Sequence, residues 1–160
     1  MIKKNLKILI ITSVVILLPI LAGVILWNQL PDQLPIHWNA AGDVDGWAPK
    51  AVGVFAMPVF LLAIHWLCVV FTVMDPKSKN HQSKILQLMF WILPVTSVLI
   101  YSITFATAIG HAVRVEVIMP LVMGLLFVII GNYMPKCKQS YTIGIKIPWT
   151  LNSEENWNRT

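Results

Sequence analysis

The chain has 160 residues, of which 57% are hydrophobic and 12% charged, with a mean hydropathy of +0.72. That balance excludes a soluble domain and identifies an integral membrane protein. The formal net charge of +5 does not argue for nucleic acid, because basic residues in a membrane chain record orientation before they record a ligand.

The first seven residues carry Lys3, Lys4 and Lys7 ahead of an apolar run from Ile8 to Trp27. At ~1.5 Å per residue this run crosses a ~30 Å hydrocarbon core. It is long for a signal-peptide core and no small-residue cleavage site follows it, so a retained signal-anchor helix is expected. Further spans are expected at about 52–74, 85–109 and 117–133. The fold expected is an all-α integral membrane bundle of four helices over residues 1–133, with an outer loop at 28–51 and a tail at 134–160. Placing both termini in the cytoplasm puts Lys3, Lys4, Lys7, Lys77, Lys79, Lys84, Lys136, Lys138, Lys146 and Arg159 inside and leaves Lys50 and Arg114 outside. That arrangement follows the positive-inside rule.

The outer loop combines Pro31 and Pro35, which stiffen the exit from the first span, with NAAGDVDG, a run of turn formers. Gly42 and Gly46 are available for positive φ, and Asp43 and Asp45 for Asx turns. Trp27, Trp38 and Trp47 frame these turns, either as an interfacial aromatic belt or as ligand contacts. The DVDG segment lacks the bidentate acid of an EF-hand, and His37 lacks a zinc-ligand spacing. No metal and no cofactor is assigned. Cys68, in an apolar run, and Cys137, among lysines, form neither a disulfide framework nor a paired-cysteine site.

Inside the spans His65 is the ionisable exception. It is either a pathway residue or a neutral imidazole bonded to a neighbouring helix, with Thr96, Ser97, Tyr101, Ser102, Thr104 and Thr107 of the third span as partners. The absence of an acid at membrane depth weakens active transport. No nucleophile, base and orienting group assemble from the sequence, so an enzyme is not expected. Gly124 and Gly131, a heptad apart on the fourth span, offer a surface for self-association.

The tail is the second polar segment. Gly144 permits a turn, Ile145 and Ile147 alternate around Lys146 as in a short extended segment, and Pro148 ends backbone pairing. Asn152 with Glu155 forms a capping-box pattern, and Ser153 is an alternative cap one residue later. Glu154 and Glu155 suit the positive end of a helix dipole. Tyr141, Pro148, Trp149 and Trp157 should not stand exposed together, so they are expected to pack on the membrane face, on the basic turn from Lys77 to Lys84, or on another protein.

Together these segments resemble a known family. PIHWNAAGDVDGW is similar to the extracytoplasmic loop of a bacterial membrane domain of unknown function, and GNYMPKCKQSYTIGIKIPWTLNSEENWNRT resembles the signature of the SdpI family of membrane immunity proteins. The resemblance implies protection of the cell against a secreted peptide toxin, with recruitment of a cytosolic transcriptional repressor as a further role. It implies no enzyme activity and no direct contact with nucleic acid. The sensing residues it implies are Pro35, His37, Trp38, Asn39, Gly42, Asp45 and Trp47. The signature or docking residues are Asn132, Tyr141, Gly144, Pro148, Trp149, Thr150, Ser153, Glu154 and Trp157. Members of the family continue past the NWNRT stretch with two further helices, so a continuation or a shortened form is expected at Thr160. The competing reading is a small transporter or channel component with a polar path near His65.

Overall fold

The computed structural model describes residues 2–160, in which four helices are long and apolar enough to cross a membrane. Helix α1 covers Ile2–Ile25. A two-stranded antiparallel sheet follows, β1 at Gln33–Trp38 and β2 at Val44–Pro49. One π turn at Val52–Ala56 runs directly into α2, Met57–Met74. Helix α3 covers Ser83–Ala108 and α4 covers Val115–Tyr133. Two short helices close the tail, α5 at Pro148–Asn152 and α6 at Glu154–Arg159.

The outer loop is therefore a β-hairpin rather than a string of turns, the one departure from an all-helical chain. Leu34 and Ala48 are paired in register and both buried, as is Pro35, while Gln33, Trp47 and Pro49 beside them are exposed. Pro35 and Pro49 are tolerated because each strand of a two-stranded sheet has a free edge where a missing N–H does no harm. The turn closes on Asn39, whose side-chain oxygen accepts the N–H groups of Ala41 at 2.9 Å and Asp43 at 3.0 Å. The Asx acceptor is thus Asn39, and neither expected aspartate. Gly42 adopts φ +88°, whereas Gly46 lies within β2 at an ordinary angle.

Two apolar clusters hold the bundle, one at each end. Leu30, Leu34, Val54, Tyr101 and Phe105 join the hairpin to α2 and α3. Leu9, Val69, Leu86 and Phe90 join α1, α2 and α3 at the opposite end, where Ile143 of the tail packs against them. Polar bonds lock the same three helices. The Ser97 hydroxyl donates to the Ile16 carbonyl at 3.3 Å, and Trp66 Nε1 donates to Ser13 Oγ at 3.1 Å. Thr96 and Ser102 instead donate within α3, to the carbonyls of Ile92 and Val98, so the α3 hydroxyls bridge helices only in part.

The π turn explains one buried bond. Its i→i+5 pattern takes the Met57 N–H to the Val52 carbonyl. The next such bond, to Gly53, would come from residue 58, which is proline and has no N–H. The Tyr101 hydroxyl fills that place, donating to the Gly53 carbonyl at 2.7 Å. Tyr101→Phe should destabilise the protein in detergent by about 1 kcal/mol, because the carbonyl is left unsatisfied. Adding Pro58→Ala, which restores the N–H, should recover part of that loss in a thermal-unfolding double-mutant cycle. Strictly additive losses would sink this account.

Candidate functional site

Helix α2 ends on a carboxylate. Asp75 follows Met74 at the negative end of the helix dipole, where an acid is disfavoured by ~0.3–1 kcal/mol unless donors compensate. The tail supplies them. Asp75 Oδ2 accepts the N–H groups of Tyr141 and Thr142, each at 3.0 Å, and the Thr142 hydroxyl at 2.7 Å. His81 Nε2 lies 3.2 Å from the same oxygen, and Oδ1 accepts the Lys77 N–H at 2.7 Å. Burial by itself would raise the Asp75 pKa. The bonds from Thr142, Lys77, Ser140 and Tyr141 more than offset it and lower the carboxyl to about 2. His81 Nδ1 is buried without a partner.

The surrounding residues extend this clasp. The Ser140 hydroxyl accepts from the Ile143 N–H at 2.9 Å, folding the chain into a turn that presents Tyr141 and Thr142 to Asp75. Gln139 is buried, takes a bond from Lys77 Nζ on its side-chain oxygen, and donates to the Thr150 and Leu151 carbonyls at 2.7 and 2.9 Å. Asn80 Nδ2 donates to the Gln139 carbonyl at 2.8 Å. The buried Thr150 hydroxyl accepts from the Ile147 N–H at 3.1 Å and donates to the Ile145 carbonyl at 2.8 Å, so Pro148 and Trp149 begin α5 from a fixed entry.

Of the three docking places expected for the tail, the turn after α2 is the one that receives Gln139 to Thr142 within this chain. Trp157 is buried, and its Nε1 donates to the Cys137 carbonyl at 2.7 Å. Its ring lies against Gly144, at φ +117°, where a Cβ would come within 2.5 Å of the indole. Tyr141 and Trp149, by contrast, are 48% and 60% exposed, so within this chain neither packs on the basic turn. Ser153 caps α6 by accepting from the Asn156 N–H at 3.3 Å, so of the two caps considered it is the one used, and Asn152 ends α5 instead. Glu154 is exposed in the first turn of α6, and Asn132 is exposed near the end of α4. Burial raises the Cys137 thiol pKa, the reverse of an activated nucleophile.

At the other end, His37 Nδ1 and Asp45 Oδ1 pair at 2.5 Å across the hairpin. Trp38 is half-buried and Trp47 exposed, while Lys50 Nζ sits over the Trp27 ring at 5.1 Å and donates to its carbonyl. The Gly42 turn meets α4 directly, since a Cβ there would lie 2.6 Å from Glu116 Oε2. His65, in mid-span, is buried with Nε2 3.2 Å from Thr12 Oγ1, whose hydroxyl donates to the Leu9 carbonyl. Its partner thus lies on α1, not among the α3 hydroxyls. Sequence reasoning missed Asp75, His81, Gln139, Ser140 and Thr142. The one available signal was an acid at a helix C-terminus, where it needs a reason to be.

Helix α4 is held differently from the rest. Val115 is its buried residue, and a Cβ at Gly124 or Gly131 would meet nothing within 4 Å. Its first turn touches the hairpin, and the segment just past its end is tied to the tail and to α3, where Gln82 Nε2 donates to the Lys136 carbonyl at 2.7 Å.

Asp75→Asn should free the tail, since one amide cannot accept what the carboxylate accepts. The expected local loss is about 3 kcal/mol, read as faster trypsin cleavage after Lys146 with the bundle intact. The folded pKa lies below the free value of 3.8, so the stabilisation is present above about pH 4 and lost as pH falls through about 2. It amounts to about 2 kcal/mol, and pepsin cleavage within the tail should rise over that window.

The same two segments carry the similarity to known proteins. Residues 14–62 match a family model described as a domain of unknown function, DUF1648, and residues 136–160 match the SdpI/YfhL protein family. No solved structure matches. The chain is 29% identical over 160 residues to the immunity protein SdpI of Bacillus subtilis strain 168, an alignment covering 97% of this chain and 71% of that protein. This multi-pass membrane protein is thus similar to DUF1648 proteins at the hairpin end and to the SdpI/YfhL family at the tail, with similarity to one immunity protein along nearly its whole length.

Proposed function

We propose that the protein is a membrane immunity protein that protects its cell from a secreted antimicrobial peptide, meeting the peptide at the hairpin and reporting it through the tail. The similarity to an immunity protein along 97% of the chain supports the first part. The observation that carries the second is the placement of α4, which touches the hairpin at Gly42 and leads into the tail at Cys137 with Val115 as its buried residue. The hairpin end faces outward in this reading, and the end bearing ten of the twelve basic residues, with both termini, faces the cytoplasm.

The tail contributes a docking surface. Tyr141, Ile145 and Trp149 are all more than two-fifths exposed on a segment whose interior is tied down by Thr150, Gln139 and Trp157. A rigidly held patch of exposed aromatic residues suits a protein partner. A cytosolic transcriptional repressor is the partner this reading assigns. His65 and Thr12 serve as packing between α1 and α2, and the polar path of a transporter is not needed.

Expression in a bacterium sensitive to a cognate peptide tests the proposal. Wild-type protein should allow growth in the peptide, and failure against every peptide tried removes the immunity reading. Trp149→Ala should insert and fold normally, because the side chain is exposed, yet abolish protection. Undiminished protection in that variant would reduce the tail to an anchor. His65→Leu should lower thermal stability by about 1 kcal/mol and leave protection largely intact, whereas a transporter would lose activity.

A further inference from the structure

A cleft of about 200 Å³ lies where β1 crosses the outer ends of α3 and α4. Ile36 and Trp38 form one wall, Ile100 and Ile103 the second, Val115 and Met119 the third, and His37 stands at the rim. It belongs to neither apolar cluster of the bundle. Small-molecule sites run to roughly 300–1,000 Å³, so this space suits one or two apolar side chains of something larger. The strand beside it, β1, pairs with β2 on one side only, and a strand edge of that kind accepts an extended peptide.

The charge around the cleft selects the occupant. None of the acids lines the cleft itself, but Asp45 pairs with His37 at its rim and Glu116 follows Val115 in α4 against the Gly42 turn that Asp43 adjoins. With Asp32 they make four carboxylates at the hairpin end against two basic side chains, Lys50 and Arg114. The remaining ten basic residues accompany Asp75, Glu154 and Glu155 at the other end. Each hairpin acid has a surface partner: His37 for Asp45, Arg114 for Glu116, Lys50 for Asp32 and the Asn39 amide for Asp43. Two negative charges are nevertheless uncompensated, in a chain that is positive overall. An acidic rim draws a cationic ligand and repels anionic phospholipid headgroups.

We propose that this cleft seats an apolar side chain of a cationic peptide lying along β1, with Asp43, Asp45 and Glu116 facing the peptide's basic residues. The proposal rests on the immunity reading and names the chemistry of the peptide that the hairpin meets. Closing the cleft engages Met119 and Val115 of α4 directly, which places the ligand against the helix that leads to the tail.

The test uses the full chain in phosphatidylcholine nanodiscs and two dye-labelled probes, a peptide of alternating leucine and lysine and its leucine–glutamate counterpart. The lysine peptide should bind above empty discs and the glutamate peptide should not. Met119→Trp, which fills the cleft from α4, should weaken binding about tenfold. Glu116→Gln should weaken it and flatten its salt dependence. Ile100→Trp reads the same space from the opposite wall should Met119→Trp fail to fold. Equal affinity of the filled variants and the wild type overturns the proposal, as does binding no better than to empty discs. A phospholipid that copurifies with wild type and is lost from Met119→Trp overturns it in favour of a lipid seat. Protection assays separate the two readings. A wild type that never protects removes immunity whatever the probes show, while equal protection by wild type and Met119→Trp removes the cleft alone.

Discussion

One carboxylate organises the tail end of the molecule. Asp75 stands where a helix dipole, a buried setting and the absence of any salt-bridged lysine or arginine all work against it, and four donors converge on a single oxygen to hold it charged. Three of those donors belong to Tyr141 and Thr142, some 66 residues further along the chain. The acid that terminates α2 is thus the acceptor that positions the signature segment. Neither partner is stable in its place without the other, because an unpaired buried carboxylate and two orphaned backbone N–H groups each carry a penalty of a few kcal/mol.

From that anchor the tail is built outward by groups that each close a specific gap. Ser140 turns the chain, Ile143 enters the lower apolar cluster, Gln139 ties the turn to the carbonyls of α5, and Thr150 fixes the entry to α5. Gly144 is present because the Trp157 ring occupies the volume a side chain would need. The hairpin end follows the same logic. Pro58 removes a donor, the π turn leaves Gly53 open, and Tyr101 reaches from α3 to satisfy it. In both places a polar bond between distant segments repairs a local deficit in the backbone, and the repair sets the tertiary contact.

The membrane class, the four spans and the two polar segments were legible because composition and uninterrupted apolar length act locally. The docking face of the tail was legible only as one of three choices. Charge at Lys77 to Lys84 attracted attention to the turn, yet the working group is Asp75, whose partners are backbone N–H groups that leave no mark in a sequence. The hairpin was hidden for a related reason. Its strands are six residues each, contain Pro35 and Pro49, and are broken by register shifts at His37, so alternation is too short to outweigh the turn formers between them. The partner of His65 lies on α1 rather than on α3, where it was expected, because hydroxyls are dense on α3 while the single buried threonine of α1 is easily passed over.

Helices α1, α2 and α3 are cross-linked by buried bonds at several levels, through Thr12 to His65, Ser13 to Trp66 and Ser97 to Ile16. Helix α4 has none of these. A helix of its length spans about 28 Å, and with its buried contact confined to the first turn, moving it laterally in lipid breaks little that holds the other three together. Its two attachments are unlike in strength. The hairpin contact is the close approach of Gly42 to Glu116 beside the cleft that β1 and α4 share, whereas beyond its other end the chain is held by Gln82, Trp157 and, through Ser140, by Asp75. In the proposed coupling the weak attachment is therefore the input and the strong one the output. In that coupling a ligand wedged between β1 and Met119 works against the hairpin contact, and the helix carries the displacement to the segment that presents Trp149.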